Sequence, residues 1–303
     1  DFITAPEISQ MFGEILGVYL INFWQKNIKT NFNLIELGPG SGTLLIDILR
    51  TGKINKNFLN AANIILIEKN KTLIKQQKIN LENSNINKVN WFNNFNIKNK
   101  KPLIIFSNEF FDCFPIRQFY KKNIWYEKFV KYNKSQKIFS FFSEKVKNAK
   151  LLSKLKRFDI SGIAEISNSR KKYFESICKL LKSSKGIFIT IDYGYQIPPK
   201  QFTLQTISKH KKTHLLENIG NQDITAHVDF DELINIAKKN ELKIDLFCNQ
   251  RNFLIDFGLY ERKRVLQKNK NKIISKKIEL DYDRLINKYQ MGEIFKVLII
   301  SCL

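Results

Sequence analysis

Three alternating glycines, directly after a short apolar strand and before an amphipathic helix, constrain the fold of this chain most. The strand is predicted at residues 33–37 and the helix at residues 43–50. Glycine lets the backbone adopt positive φ and approach a ligand closely, and dinucleotide-binding loops lie at this place in Rossmann-like folds. A nicotinamide fingerprint would need glycine where Thr43 stands, and a P-loop would need lysine after Gly42. Both of those ligand classes are therefore excluded.

The pattern that remains is an acidic residue followed by three alternating glycines, which is typical of class I S-adenosylmethionine (SAM) methyltransferases. Loops of that class meet a methionine tail and a ribose rather than a pyrophosphate. A carboxylate suits the cationic end of SAM better than it suits a phosphate. We therefore predict SAM as the cofactor, bound in this loop by Glu36, Gly38, Gly40 and Gly42. The alternative interpretation is a plain glycine turn in an α/β protein.

Apolar strands and helices alternate along most of the chain, which predicts a parallel sheet covered by helices on both faces. The predicted strands are residues 33–37, 64–68, 89–92, 103–107, 186–192, 242–247 and 293–301. The predicted helices between them are residues 43–50, 71–81, 169–182 and 229–240. The fold class is therefore α/β, a Rossmann-like methyltransferase fold with a mostly parallel sheet.

The alternation breaks at residues 117–142, where short aromatic and β-branched stretches are separated by Lys, Asn and Ser. This pattern predicts antiparallel hairpins. We expect one domain over residues 1–303, with an inserted β subdomain at about 114–160.

One amphipathic helix is predicted at residues 6–26, because apolar residues recur there at a spacing of three or four. Thr4 and Glu7 stand at the spacing of a capping box at its start. The chain begins with Asp1, and we expect it to be a fragment that is preceded by a further segment in the whole protein.

Polar residues end or follow three further predicted strands, at the edge where ligands bind in parallel sheets. Glu68 is expected to accept hydrogen bonds from the ribose hydroxyls, with a strand-end surface carboxylate as the alternative. Asn108, Glu109 and Asp112 follow the fourth strand, where Asn108 would contact the cofactor and the two carboxylates would hold a cationic acceptor. Asp192 ends the fifth strand and is a third candidate catalytic residue. The alternative interpretation of the residues after the fourth strand is that Phe110 and Phe111 belong to the hydrophobic core and Asp112 caps a helix.

Four further polar residues of interest lie in the C-terminal half. His227 is a candidate base, and Asp229 is predicted to cap a helix. His210 and His214 are four residues apart, but the glutamate of the zinc-protease motif is missing. We therefore predict no metal site.

The net charge is +23, yet the composition argues against specific nucleic-acid recognition. Only eight of the 51 basic residues are arginine, and the lysines are spread over the whole length. Specific recognition of bases and phosphates usually draws on arginine. We expect no specific nucleic-acid partner.

The apolar runs of the sequence are too short for a membrane span.

Several long motifs together resemble the MidA family, which comprises mitochondrial complex I assembly methyltransferases and their bacterial relatives. They lie at residues 1–14, 36–43, 108–118, 165–167, 192–194, 203–205, 225–230 and 291–297. The resemblance implies a class I methyltransferase that modifies arginine in a protein, and in mitochondria a quinone-module subunit of complex I. The resemblance implies that Gly38, Gly40 and Gly42 bind the cofactor. It also implies that Asn108, Glu109 and Asp112 lie beside it. An adenine contact is expected within residues 83–99, where no residue can be assigned.

Four widely spaced cysteines without a CxxC pair favour a reducing compartment. We predict the cytoplasm of a bacterium, with the mitochondrial matrix as the alternative. Three rival functions stay open: a nucleic-acid methyltransferase, an assembly chaperone that binds SAM without turnover, and a small-molecule methyltransferase. The oligomeric state is not predicted.

Overall fold

The computed structural model describes residues 4–95, 101–208 and 211–303. Contacts divide the chain into two compact units. We call Ile3–Phe110, Glu175–Tyr193 and Ile234–Leu303 the sheet unit, and Phe111–Phe174 with Gly194–Leu233 the hairpin unit. That the chain forms one domain with an insertion stays a prediction.

The described helices are α1 Ala5–Ile8, α2 Gln10–Phe23, α3 Thr43–Gly52, α4 Lys56–Ala61, α5 Lys71–Asn83, α6 Ala149–Leu155, α7 Asn168–Ser184, α8 Phe230–Lys239, α9 Gln250–Asp256, α10 Leu259–Gln267 and α11 Lys272–Ile286. The described strands are β1 Phe32–Leu37, β2 Ala62–Ile67, β3 Val89–Phe92, β4 Leu103–Asn108, β5 Arg117–Lys121, β6 Trp125–Asn133, β7 Ile138–Lys145, β8 Ile163–Ile166, β9 Gly186–Tyr195, β10 Gln205–Ser208, β11 Lys211–Thr213, β12 Asp223–Thr225, β13 Val228–Asp229, β14 Lys243–Asn249 and β15 Phe295–Cys302. None of these helices has both the length and the apolar character of a membrane span.

The main sheet has the strand order β14-β15-β9-β4-β1-β2-β3. Its strands pair in parallel, except that β15 is antiparallel to both β14 and β9. Strands β1 and β4 are neighbours although two strands separate them in the chain, so the order reverses there. Such a switch point opens a ligand crevice beyond the carboxyl ends of the two strands. The predicted α/β fold with a mostly parallel sheet is confirmed.

The hairpin unit contains the antiparallel strands that the sequence predicted. One sheet has the order β7-β6-β5-β8 and a smaller one has the order β11-β10-β12. Its core is formed by the buried side chains of Phe119, Trp125, Val146, Leu155, Phe158 and Ala164. Strand β8 and the smaller sheet were not predicted.

The prediction of one continuous helix over residues 6–26 is wrong. The chain forms α1 and α2 instead, and Ser9 between them is extended, with φ −156° and ψ 134°. The Ser9 hydroxyl accepts a hydrogen bond from the Met11 amide and so caps α2. The spacing of the apolar residues continues across the break at Ser9, so periodicity alone does not reveal the break. One π-helical turn, Trp24–Ile28, ends this segment.

Candidate functional site

The glycine loop follows β1 and leads into α3, as its spacing predicted. Gly38 and Gly40 have φ of 63° and 54°, in the left-handed region that other residues rarely adopt. A Cβ on Gly38 would lie 2.7 Å from the ring of Phe110. A Cβ on Gly40 would meet no described atom within 4 Å. The backbone at Gly40 is therefore open to a ligand, whereas Gly38 is required for close packing.

Glu36 lies on β1, almost at its carboxyl end, and only 3% of it is exposed. Within the described residues, its Oε2 atom has no hydrogen-bond partner. Burial raises the pKa of this carboxyl to about 8. A buried acceptor oxygen of this kind fits the positively charged amino group of a ligand, which would stabilise the ionised form.

Helix α5 holds the glycine loop through two amide side chains that the sequence analysis missed. Gln77 is fully buried, and its Nε2 donates to the carbonyl of Gly40 at 2.9 Å. Asn80 donates to the carbonyl of Ser41 at 2.8 Å. The available signal was a polar residue in an apolar stripe, because Gln77 stands four residues after Leu73 and four before Leu81. Both bonds fix the conformation of the loop backbone.

Glu68 follows β2 at the same edge of the sheet as the glycine loop. Its Oε1 accepts hydrogen bonds from the amides of Lys69 and Asn70, both at 2.8 Å. Its Oε2 lies 3.4 Å from the Nε2 of Gln77. This carboxylate is thus oriented by its own loop and by α5. Its predicted contact with the ribose stays a prediction.

Gln77 also accepts a hydrogen bond from the indole of Trp91 on β3, at 2.9 Å. Trp91 lies in the segment where an adenine contact was expected. Residues 96–100 of that segment lie outside the described residues. One buried amide therefore connects the glycine loop, Glu68 and Trp91.

Asn108 and Glu109 follow β4, the strand beside β1. Glu109 has φ 49°, which is uncommon for a residue with a side chain, and its amide donates to the carbonyl of Ile191 at 2.9 Å. The Asn108 side chain donates to Glu109 Oε1 at 3.1 Å. Asn108 Oδ1 is buried and has no hydrogen-bond partner among the described atoms. It is therefore a second unsatisfied hydrogen-bond acceptor at this edge of the sheet.

Asp192, near the end of β9, is fully buried. Its Oδ2 accepts the amide hydrogen of Phe110 at 3.1 Å. The carboxylate thereby fixes the turn that carries Glu109 and the ring that packs on Gly38. This contact suits a positioning role better than direct contact with an acceptor.

The segment before α2 lies against the same loop, which the sequence analysis did not foresee. The Ser41 hydroxyl donates to Glu7 Oε1 at 3.3 Å. The amide of Ala5 donates to Glu109 Oε1 at 3.4 Å. Both residues belong to the first family-like motif, so that motif contributes side chains to the candidate site.

Asp112 belongs to the hairpin unit, where it is 5% exposed. Its carbonyl accepts the amide hydrogen of Ala226 at 3.0 Å. Asp229 caps α8 by accepting the amide hydrogen of Glu232 at 3.1 Å, which confirms its predicted role, and it also pairs with Arg157. His210 lies outside the described residues.

The strand order, the glycine loop with its open backbone at Gly40, and the buried Glu36 define a class I SAM-dependent methyltransferase. A family described as S-adenosyl-L-methionine-dependent methyltransferase matches residues 15–248. The chain belongs to this family. The resemblance to the MidA family is thereby confirmed, and SAM is the cofactor.

Curated relatives extend over nearly the whole chain. The mitochondrial protein arginine methyltransferase NDUFAF7 of Mus musculus is 30% identical over 97% of this chain and 73% of its own length. The Homo sapiens protein of that name is 29% identical, over 97% and 72%. A solved COG1565 superfamily member from Burkholderia thailandensis, bound to S-adenosyl-homocysteine, has a TM-score of 0.86 and 21% identity. It covers all of this chain and 79% of that chain, which shows a shared fold.

Proposed function

We propose that this protein transfers a methyl group from SAM to an arginine side chain of a protein. The observation that carries the proposal is the arrangement of carboxylates at or near the carboxyl ends of three adjacent strands of the main sheet. Glu36 lies on β1, Glu109 follows β4 and Asp192 lies on β9. The relatives named protein arginine methyltransferase, at 29–30% identity, support the same acceptor.

SAM, when bound, supplies a methyl group on a positively charged sulfur. The protein must then hold a guanidinium nitrogen in line with that carbon, and orientation of this kind provides much of the acceleration. Methyl transfer would cleave the sulfur–carbon bond of SAM as the nitrogen–carbon bond forms, and the proton displaced from the acceptor nitrogen would pass to water. We assign Glu109 to the guanidinium, because fixed carboxylates stabilise a cation where water is excluded.

Asp192 is proposed as the positioning residue of this site. Its bond to the Phe110 amide holds the turn in which Glu109 has its positive φ. Asp112 stays a candidate catalytic residue on the strength of the sequence motif. For the cofactor we propose Glu36 and Asn108 at the amino end, the backbone at Gly38, Gly40 and Gly42, and Glu68 at the ribose.

The test is incorporation of labelled methyl groups into proteins of host cells that lack this enzyme. We expect label on arginine, identified by mass spectrometry. A charge-assisted hydrogen bond is worth about 1.5–3 kcal/mol, so Glu109→Gln should slow transfer by roughly ten- to a hundredfold. SAM affinity should change far less. Glu261→Gln on the exposed start of α10 is the matched control.

Other outcomes point to the rival functions. Label on RNA would support the nucleic-acid methyltransferase, and label on a metabolite would support the small-molecule enzyme. SAM binding without any label would support the chaperone. Loss of SAM binding in Glu109→Gln would place this carboxylate on the cofactor side.

A respiratory complex I subunit is the acceptor that the family resemblance implies, and we propose it here. The curated relatives are named mitochondrial, which supports the mitochondrial alternative to the predicted bacterial cytoplasm. Immunodetection in fractionated host cells checks the compartment. The position of the arginine label identifies the subunit.

A further inference from the structure

Four apolar side chains are exposed together on one face of the β6–β7 hairpin. Val130 pairs with Phe141 and Tyr132 pairs with Phe139. Alternate residues of a strand point to the same face, so these four share one side. They are exposed by 50%, 39%, 49% and 41% in that order. We call them the hairpin quartet, and contiguous exposed apolar groups of this kind mark interaction sites.

Strand β7 is also an edge strand. Within the described residues it pairs with β6 and with no other strand. A long edge strand with apolar side chains is an aggregation hazard that proteins usually cover or blunt with charge. The hairpin carries lysines at its turn, but its apolar face stays exposed. A partner that covers this face would remove the hazard.

A cavity of about 700 Å³ adjoins the hairpin quartet, and Phe141 belongs to both. The rest of its lining comes from residues 199–206, residues 212–215 and His227. Lysines at 200 and 212 take part, and none of the lining residues is acidic. The ammonium group of Lys128 lies 3.9 Å from the ring centroid of Phe141 and 5.3 Å from that of Phe202. All these residues belong to the hairpin unit.

The charge of the cavity decides which part of a protein acceptor it can receive. The Glu165 carboxylate contacts the lining residues Thr203 and Leu204, but it is only 4% exposed and accepts their hydrogen bonds. The charged groups of the lining itself are therefore lysines, which repel a guanidinium group and attract acidic side chains. The arginine that receives the methyl group therefore does not fit here, whereas a neighbouring acidic segment does. The hairpin quartet beside it offers contact to an apolar side chain of the same segment.

Ring geometry favours a protein over a single-stranded nucleic acid. The rings of Tyr132 and Phe139 lean on each other, with centroids 4.8 Å apart and planes at 43°. Lys128 covers one face of Phe141. Base recognition on such surfaces depends on open aromatic faces for stacking. In the hairpin quartet the ring faces are partly occupied, while the ring edges and the methyl groups remain exposed for contact with a protein.

We propose that the hairpin quartet and the adjoining cavity dock the protein acceptor through an acidic segment that carries an aromatic or aliphatic anchor. The docking site rests on the proposed function, since it presumes a protein acceptor. Its role is to raise the affinity for the acceptor without taking part in methyl transfer. The chemistry of the segment, rather than the arginine itself, would then select the substrate.

Fluorescence anisotropy with two peptides tests the docking site directly. One peptide carries phenylalanine flanked by glutamates, and the other carries lysines in place of the glutamates. The wild type should bind the glutamate peptide more tightly. The double variant Val130→Ser, Phe139→Ser should weaken that binding by about tenfold or more, as expected when anchor contacts are lost. Lys128→Glu should weaken it similarly and favour the lysine peptide.

The control variants are Ile160→Ser and Lys150→Glu, which change exposed residues elsewhere in the hairpin unit. Circular dichroism establishes that each variant is folded. Equal binding of the two peptides, or unchanged binding by the quartet variant, would overturn the docking site. So would an RNA oligonucleotide that displaces the glutamate peptide, or a dimer in sedimentation that the quartet variant dissociates.

Arginine labelling in host proteins is measured on the same samples. If peptide binding depends on the hairpin quartet but arginine is not labelled, the proposed function fails and the docking surface stands. If arginine is labelled equally by the wild type and the quartet variant at limiting acceptor, the docking site fails. Labelling that falls only at low acceptor concentration, with SAM affinity unchanged, supports both.

Discussion

The side-chain amide of Gln77 connects three separate parts of the candidate cofactor site. It donates to the loop carbonyl of Gly40 and faces Glu68, and it accepts from the indole of Trp91. Because the amide is fully buried, these bonds form away from water, where an unpaired polar group is costly. Gln77 therefore positions groups that would contact SAM. This role does not require Gln77 itself to contact SAM.

Replacing Gln77 by methionine keeps the length of the side chain and removes its hydrogen bonds. We expect the dissociation constant for SAM to rise about tenfold, because one buried polar group left unpaired costs about 1–3 kcal/mol. The rate constant at saturating SAM should change much less. Isothermal titration and saturation kinetics measure the two quantities. Lys75→Met, two residues earlier on the exposed face of α5, is the control, and an equal loss in both variants would contradict the assignment.

Glu36 makes the stability of the protein depend on pH. Burial raises the pKa of this carboxyl from 4.5 to about 8, so the folded chain keeps a proton that the unfolded chain loses. The unfolded state therefore binds fewer protons across this range, and stability falls as pH rises from 4.5 to about 8.

Glu36→Gln removes that titration while keeping the shape of the side chain. Its free energy of unfolding relative to the wild type should increase from pH 5 to pH 9, on the order of a few kcal/mol in total. SAM affinity should fall at the same time, because the variant lacks the charge that we propose for binding the amino group. Urea unfolding at a series of pH values checks the first effect. A pH profile parallel to that of the wild type would exclude a raised pKa at this position.

Among the elements, the strands of the main sheet and the glycine loop were predictable because their signals are local. An apolar run bounded by polar residues predicts a buried strand, and three alternating glycines mark the turn after it. The helices α9, α10 and α11 were not predicted. Asn249, Gly258 and Asn271 are their N-cap residues. In α11 the apolar residues Ile274, Ile278, Tyr282 and Ile286 recur at helical spacing, which is a signal that could have indicated this helix.

The site itself was predictable only in part, for a related reason. Glu36 and the glycines lie within one short motif, whereas Gln77 and Glu7 reach the loop from other elements through tertiary contacts. A single sequence does not show which polar side chain from another part of the chain will contact the backbone of the glycine loop. A polar residue within an apolar helical stripe is the signal that could have indicated Gln77.

Helices α2 and α3 pack closely through glycines of α2. A Cβ on Gly13 would lie 2.5 Å from the Cβ of Asp47, which is too close for any side chain to fit without movement. Glu14, the next residue, forms two hydrogen bonds with Arg262 of α10, at 2.7 and 2.8 Å. The family-like motif at the start of the chain thus fixes α2 against two other helices.

Gly13→Ala should lower the free energy of unfolding by about 1–3 kcal/mol, as overpacking of a tight contact does. Alanine favours helices, so intrinsic propensity alone would predict the opposite sign. Urea unfolding measures the effect. The double variant with Asp47→Gly removes the opposing Cβ, so the two changes should be less than additive in a double-mutant cycle. Full additivity, or a more stable Gly13→Ala, would contradict this packing.

At the scale of the whole molecule, the net charge of +23 invites comparison with nucleic-acid-binding proteins. The charge is carried mainly by lysine, and lysine lies all along the chain rather than in one segment. Lysine is a strongly hydrated point charge without the planar fork of arginine. Such a surface attracts polyanions through general electrostatics, and its affinity depends on the release of counterions.

We therefore expect binding to RNA or DNA to be weak and insensitive to sequence. It should fall steeply with salt and vanish near a physiological ionic strength of about 0.15 M, where the Debye length is roughly 8 Å. Filter binding or anisotropy with two unrelated oligonucleotides over a salt series measures both properties. Binding of the glutamate peptide to the hairpin quartet should survive in the same buffer, because it includes apolar contacts that salt does not screen. A nanomolar complex with one oligonucleotide at that ionic strength would instead support a nucleic-acid acceptor, since nonspecific attraction between phosphates and lysines cannot distinguish two sequences.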